Sequence, residues 1–290
     1  MKTNLPQKSY NNGDSSKLDF LSSLNNSTRN QLTVFSLKNF SQEKSILNLP
    51  EFIDENICIC PLPDNKVFCY GNLSWNNTES RIPSVTGLTF IINPDLSIEI
   101  LEEGIKCYGS GGVFYDGNVY VYGGYNDIGV IEKIASKYNF QDKNWKIISS
   151  LPVPSSFCSC VEYMGLILVG GASRSNKIFA YDIATNSYSE FLSEIEETKI
   201  LCKSNGHAYI INPGGFIYES ENNNPFVWKS INKCEWSRDF CDLIGFQMVF
   251  ENYFYFIEYE YGLCNYYRFD LVRKCMDFDT VNNWLRTHYL

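Results

Sequence analysis

Short apolar runs alternate with polar turn signals along most of the chain. Five segments share one pattern, an apolar run followed by a two-residue turn signal and a second apolar run: ICICPLPDNKVFCYGN, GGVFYDGNVYVYGG, CVEYMGLILVGG, ILCKSNGHAYIIN and GFQMVFENYFYFIE. Runs of this kind predict β-strands, and a tight turn between two of them predicts an antiparallel hairpin. Helical periodicity is not seen in the sequence. The pattern therefore predicts an all-β chain.

The turns of the five hairpins fall on one aligned position. This position holds only Gly or Asn, which best tolerate the positive φ of a tight turn. Successive turns are 52, 48, 41 and 46 residues apart, which indicates a repeated structural unit. We predict that the glycines at this position have positive φ. The aligned residues are Asn65, Gly117, Gly165, Gly206 and Asn252.

Each hairpin is followed by a second one with its own signature. Tyr138 precedes Trp145 by seven residues, and Tyr181 precedes Tyr188 by the same interval. The segment from Phe269 to Met276 repeats this spacing. Large rings bury most area per residue, so we expect these positions to lie where neighbouring units pack. Four short strands per unit, repeated radially, predict a β-propeller of four-stranded antiparallel blades.

Two of the units resemble Kelch repeats. Residues 119–124 (VYVYGG) and 166–171 (LILVGG) end in the Gly-Gly doublet that defines such repeats, and each lies upstream of an aromatic pair. Residues 151–156 (LPVPSS) resemble the Kelch segment that leads into the next blade, with Ser where a basic residue is often found. The match is good over residues 104–193, and the other units are degenerate. The resemblance implies a Kelch-type propeller.

We predict six blades within residues 15–279, because an open ring would leave unpaired strand edges. The first blade is expected to be irregular. Its outer strands are assigned to 32–37 and 44–50, and its inner strands come either from the segment around 12–21 or in part from 284–290. The predicted blades are 15–50, 51–103, 104–151, 152–193, 194–232 and 233–279, flanked by a flexible segment 1–14 and a tail 280–290 that is a candidate for closing the ring.

Composition and charge narrow the classes of partner. The chain is 44% hydrophobic and 16% aromatic, enough for a large core. Its net charge of -9, without a run of Lys or Arg, would repel phosphate backbones and anionic lipid, so neither nucleic acid nor a membrane is an expected partner. The polar N-terminus lacks an apolar stretch typical of a signal peptide. We expect a cytoplasmic monomer.

The topology of a propeller suggests where another protein would bind. If strands a to d of each blade are antiparallel, the a–b and c–d turns lie on one face, called here the turn face. The b–c loops and d–a connections lie on the opposite face, called the loop face. Its longer segments contain residue types typical of protein interfaces. The candidate partner-binding residues are Trp75, Arg81, Tyr125, Asn126, Arg174, Lys177, Tyr261, Trp236 and Arg238. Each of them also has an ordinary interpretation as a loop or packing residue.

Candidate catalytic residues are scarce. The chain has two His, of which His207 follows a hairpin turn and is interpreted as solvated, while His288 lies in the tail. A copper or iron site on a propeller would require paired His or a cluster of His with carboxylates, and neither can be assembled. The segment GSGG at 109–112 precedes a strand rather than a helix, so it is interpreted as blade-entry geometry and not as a phosphate loop. No catalytic residue and no cofactor are predicted.

The 11 Cys of the chain are an odd number, form no CxxC motif and lie mostly inside apolar alternating segments, so they are predicted to be reduced, buried thiols. Cys58 with Cys60, and Cys158 with Cys160, are pairs that would project from one face of a strand. Metal ligation by these pairs is conceivable. Packing as small apolar side chains is favoured, because no companion His completes a tetrahedral set. The sequence thus predicts no metal site.

Three functions are compatible with these features. The leading hypothesis is a non-catalytic scaffold or adaptor that recognises another protein through the loop face. The alternative is a substrate-recognition subunit of a ubiquitin ligase or a cytoskeletal (actin) binder, roles that are common among Kelch proteins. A ligase role would require a separate partner, because no helical bundle precedes residue 30. An enzyme ranks third.

Overall fold

The structure is a computed structural model. It describes residues 20–24, 32–36, 41–43, 57–74, 84–171, 177–192, 200–204, 206–212, 216–221, 224–233, 247–250, 253–260, 263–271, 273 and 275–277. These residues contain 23 β-strands and one short 3-10 turn, Pro63–Asn65, but no α-helix. The prediction of an all-β chain is confirmed.

The strands form six antiparallel sheets, each in simple sequence order. Sheet 1 has three strands and the other five have four, which is the arrangement of β-propeller blades. Sheet 1 contains β1 (Phe20–Leu24), β2 (Leu32–Ser36) and β3 (Ser41–Glu43); sheet 2 contains β4 (Cys58–Pro61), β5 (Val67–Ser74), β6 (Ser84–Ile92) and β7 (Ile98–Ile100); sheet 3 contains β8 (Gly111–Tyr115), β9 (Asn118–Tyr122), β10 (Ala135–Asn139) and β11 (Asn144–Ile147).

The remaining three sheets follow the same plan. Sheet 4 contains β12 (Cys158–Tyr163), β13 (Leu166–Gly171), β14 (Ile178–Asp182) and β15 (Ser187–Leu192); sheet 5 contains β16 (Ile200–Ser204), β17 (His207–Ile211), β18 (Phe216–Glu221) and β19 (Asn224–Lys233); sheet 6 contains β20 (Gln247–Phe250), β21 (Tyr253–Glu260), β22 (Leu263–Asp270) and β23 (Cys275–Asp277). Because the strands are consecutive and antiparallel, each four-stranded sheet has its a–b and c–d turns at one end and its b–c connection at the other.

The first hairpins of sheets 3 and 4 close through two-residue turns. Asp116 and Gly117 have φ of +47° and +71°, and Met164 and Gly165 have φ of +53° and +82°. Positive φ at both central residues is the type I′ turn, whose twist matches that of the strands it joins. Gly206, before β17, has φ of +82°. The prediction of positive φ at the three aligned glycines is confirmed.

The turn at Asn65 is longer than predicted. Three residues, Pro63–Asn65, separate a pair in which the Leu62 amide donates to the Lys66 carbonyl oxygen at 2.8 Å. Asn65 keeps the positive φ of its aligned position, at +57°. Asp64, at +60°, also has the positive φ of a type I′ turn, but Pro63 has no amide hydrogen to donate across such a turn, so the closing bond comes from Leu62 and the turn is one residue longer. The fifth aligned residue, Asn252, lies outside the described residues.

Aromatic pairs with a spacing of seven lie directly opposite each other on the c and d strands. Tyr138 faces Trp145 in sheet 3, and Tyr181 faces Tyr188 in sheet 4. The Trp145 ring lies 4.7 Å from the ring of Tyr70 in sheet 2. In sheet 6, Phe269 faces Met276. The pairs in sheets 3 and 4 join cores shared with the preceding sheet, as predicted.

A glycine near the end of strand b allows the next blade to begin close by. A Cβ added at Gly123 would overlap the carbonyl oxygen of Ser155, which lies in the connection from sheet 3 to sheet 4. One added at Gly71 would overlap the carbonyl oxygen of Cys107, in the connection from sheet 2 to sheet 3. The contact repeats in successive blades. It accounts for Gly71 in a unit whose Kelch pattern is otherwise degenerate.

Several boundaries differ from the sequence interpretation. The polar segment that begins at Asn72 suggests a b–c loop, but Asn72 is buried within β5. The polar residues from Glu258 suggest a longer loop in sheet 6, but the pairing of β21 with β22 continues to Glu260 and Leu263, so two residues separate these strands. In sheet 1, β3 lies at Ser41–Glu43, whereas the strand predicted at 44–50 lies outside the described residues. Strand length depends on pairing partners, which local composition does not specify.

The segments 12–18 and 284–290, offered as sources of ring-closing strands, also lie outside the described residues, although β1 begins within the segment proposed for an inner strand. The blade boundaries, the flexible N-terminus and the closure of the ring therefore stay predictions. Within the described parts of the chain, no helix has the length and hydrophobicity required to span a bilayer.

Candidate protein-binding face

The structure describes three of the nine candidate residues. Tyr125 and Asn126 lie between β9 and β10, and Lys177 lies directly before β14. All three are at the loop-face end of their sheets. The other six, Trp75, Arg81, Arg174, Trp236, Arg238 and Tyr261, lie outside the described residues. The candidate set as a whole stays a prediction.

Asn126 holds the b–c loop of sheet 3 in shape. Its side-chain oxygen accepts hydrogen bonds from the amides of Ile128 (3.1 Å) and Val130 (2.9 Å). Its side-chain nitrogen donates to a carboxylate oxygen of Glu132 at 2.6 Å. This is the local bonding by which Asn organises a turn. Asn126 therefore acts within the loop, and a role towards a partner would be exerted through the loop conformation.

Tyr125 belongs to a row of three half-buried rings, called here the aromatic row: Tyr108, Tyr125 and Phe157. The Tyr108 and Tyr125 rings stack with their centroids 5.1 Å apart and their planes at 18°. The Phe157 ring lies 5.8 Å from that of Tyr125. The backbones of Tyr108 and Tyr125 also exchange two hydrogen bonds, of 3.1 and 2.8 Å. The row thus joins two blade-entry connections and one b–c loop.

Phe157 has an unusual backbone. Its φ is +52°, in a region that bulky residues rarely adopt, and its amide donates to the Gly109 carbonyl oxygen at 2.6 Å. Gly109 occupies the equivalent place before β8 and has φ of +66°. The Phe157 ring lies 3.0 Å from where a Cβ of Gly109 would be. One blade therefore uses Gly at this point and the next uses Phe, at a cost on the order of 1–3 kcal/mol.

Two apolar residues of the same b–c loop are exposed. Ile128 retains 77% of its accessible surface and Val130 retains 49%. Neither was among the residues proposed from the sequence. The available signal was the presence of two branched aliphatic side chains in an otherwise polar loop. Sequence reasoning missed them because it selected Trp, Tyr, Arg and Asn by type.

Lys177 forms an ion pair across the c and d strands of sheet 4. Its amine lies 2.7 Å from a carboxylate oxygen of Glu190, and both side chains are about half exposed, at 49% and 42%. An exposed pair of this kind contributes about 0–1 kcal/mol to stability. Lys177 therefore remains accessible to solvent at the loop face.

His207 is less solvated than predicted. The residue is the first of β17 and its ring is mostly buried. Its Nδ1 lies 3.0 Å from the Ser220 carbonyl oxygen, to which it donates, and 3.8 Å from the Glu219 carboxylate. The interpretation as a solvated turn residue is wrong, because the hairpin pairing places this side chain against the neighbouring strand.

The thiols that the structure describes are free. Cys58, Cys60 and Cys158 are buried, which confirms their interpretation as core residues, and Cys160 is partly buried. Burial raises the pKa of the Cys60 thiol to about 12 and that of Cys158 to about 12. Such thiols are unsuited to nucleophilic chemistry, which requires the thiolate. No group of three or more potential ligands for a metal occurs among the residues that the structure describes.

Comparison with known proteins agrees with this architecture. A family model for the Kelch motif matches residues 106–152, which include all of sheet 3 and the entry to sheet 4. Kelch-like protein 40 from Xenopus tropicalis is 30% identical over 133 residues, 44% of this chain. The matched part is 21% of that protein, so the chain spans about a fifth of its length.

The fold defines a protein built of propeller-type blades. The motif match and the relative show that this part of the chain is similar to Kelch-repeat proteins. Proteins of this family are generally non-catalytic and interact with other proteins.

Proposed function

We propose that this chain is a non-catalytic scaffold or adaptor that recognises another protein through the loop face. The observation that carries the proposal is the aromatic row, because three half-buried rings from separate connections converge there. Aromatic anchors of this kind dominate the energetics of protein interfaces. In sheets 3 and 4 the turn face has only the short turns at Gly117 and Gly165 between strands a and b.

Charge favours a protein over a polyanion as the partner. The chain carries a net charge of -9, which would oppose binding to nucleic acid or to an anionic lipid surface. A protein partner with a neutral or basic contact surface would meet no such opposition. We therefore propose a protein ligand.

The test compares variants of the two faces. The full chain is immobilised, its partner is identified by pull-down and mass spectrometry, and the Kd of the purified partner is measured. The double variant Trp75→Ala and Arg174→Ala should weaken binding by on the order of tenfold or more, with a free energy of unfolding within about 0.5 kcal/mol of the parent. Asp116→Asn on the turn face should leave the Kd unchanged, because Asn tolerates positive φ.

Loss of binding from the Asp116 variant alone would place the site on the turn face. If the double variant loses binding and its melting temperature falls to a matching extent, Trp75 and Arg174 have a structural role.

A further inference from the structure

The b–c loop of sheet 3, residues 125–131, is a preformed projection. The Asn126 amide donates to the Val130 carbonyl oxygen at 3.0 Å, and the Gly129 amide donates to the Asn126 carbonyl oxygen at 3.1 Å. Together with the Asn126 side chain, these bonds close the loop upon itself. Gly129 has φ of +73°, which a non-glycine residue would adopt only with strain. The loop therefore presents one shape before any partner binds.

At the tip of this loop the side chains are apolar and face water. Ile128 is exposed to 77% and Val130 to 49%, while Met164, at 53%, is comparably exposed on the turn face. Burying an aliphatic side chain of this size contributes roughly 1.5–3 kcal/mol. Since the loop is already ordered, a partner that buries these side chains incurs little entropic cost in doing so.

The charges around the tip point to the nature of the partner. Asp127, next to Ile128, is exposed to solvent. The nearest basic residue along the loop, Lys133, directs its amine to the Pro152 carbonyl oxygen at 2.7 Å. The net charge of the whole chain is -9. A second copy of the chain would meet like charge at this point, whereas a basic surface would be attracted.

Building on the proposed function, we propose that this loop binds as a hydrophobic knob. Ile128 and Val130 insert into an apolar pocket on a partner protein, and a Lys or Arg at the rim of that pocket pairs with Asp127. The aromatic row supports the base of the knob from the side of the propeller.

The first experiment introduces a photo-crosslinking amino acid at one of three exposed positions of the full chain. Position 128 lies at the tip of the knob, position 177 lies on the loop face outside it, and position 164 lies on the turn face. After irradiation in cell extract, mass spectrometry identifies the crosslinked peptide. The proposal expects a crosslink from position 128 to a peptide that lines an apolar pocket and has Lys or Arg beside it.

The second experiment uses the partner protein that the crosslink identifies. This protein is purified, and its Kd for variants of the full chain is measured. Ile128→Asp should raise its Kd by on the order of 10- to 100-fold, the loss expected when one aliphatic anchor no longer enters its pocket. The matched control Met164→Asp should change the Kd by less than about twofold. Asp127→Asn should reduce the dependence of the association rate on ionic strength, because one screened attraction is removed.

The outcomes separate this inference from the proposed function. Crosslinks from position 177 without any from position 128, or an unchanged Kd for Ile128→Asp, would overturn the knob and leave the loop face in place. Crosslinks from position 164 alone, or from none of the three, would overturn both. A crosslink from position 128 to a second copy of the chain, or to a peptide without apolar character, would also overturn the knob.

Discussion

The two ends of the blades use glycine for different reasons. At the turn face, Gly117 and Gly165 have positive φ and nothing lies within 4 Å of an added Cβ. Near the loop face, Gly71 and Gly123 also have positive φ, but an added Cβ would overlap a backbone carbonyl of the next blade entry. At the turn face, glycine is required only for its positive φ. Near the loop face, glycine is required for its positive φ and also because a side chain would not fit.

This difference shows that consecutive blades come close together near the loop face but not at these turns. The turns can be altered within one blade, because no neighbour approaches them. Gly71 and Gly123 leave no room for a side chain against the next blade entry, so the binding face proposed above is built where consecutive blades lie close together.

The largest effect is expected from Gly123→Ala. The new Cβ must displace the Ser155 carbonyl while φ stays at +66°, so we expect a loss of about 3–5 kcal/mol in the free energy of unfolding, measured by urea denaturation. Gly129→Ala is the matched control, because its φ is +73° with open space around it, and about 1–2 kcal/mol is expected. Equal losses would mean that conformation alone makes Gly123 necessary.

An intermediate effect is expected at the turn face. Gly117→Val should destabilise by roughly 1–3 kcal/mol, because a β-branched residue is strained at φ of +71°. Gly117→Asn should cost no more than a few tenths of a kcal/mol by the same measurement, since Asn adopts this conformation readily. If the Asn variant were as unstable as the Val variant, crowding and not φ would limit this position.

The smallest effect concerns two tyrosines just before the loop-face glycines. The Tyr70 hydroxyl donates to the Ile105 carbonyl oxygen at 2.6 Å, across the entry to sheet 3. The buried Tyr122 hydroxyl has no hydrogen-bond partner within the described residues. Tyr70→Phe should therefore cost about 0.5–1.5 kcal/mol, while Tyr122→Phe should be neutral or slightly stabilising. A greater loss from Tyr122→Phe would indicate a bound water or another partner at its hydroxyl.

The sequence predicted the features that repeat and missed those that occur once. The aligned turns and the pairing of Tyr138 with Trp145 follow from periodicity, because each unit faces the same packing problem. Phe157 could not be predicted, since its left-handed backbone depends on contacts with Gly109 and Tyr125 from other connections. The exposure of Ile128 was equally hidden, because it follows from loop shape rather than from residue type.

The carbonyl groups of Cys107 and Ser155 form packing contacts that connect neighbouring sheets. Each lies in a connection between two sheets, close to a glycine of the preceding sheet, Gly71 within β5 or Gly123 directly after β9. A displacement at Ser155 therefore changes the packing of sheets 3 and 4 first. Sheets 2 and 5 are affected only through these two sheets. After a destabilising substitution in one sheet, faster amide hydrogen exchange should therefore appear first in that sheet and then in its neighbours. It should not appear at once throughout the protein.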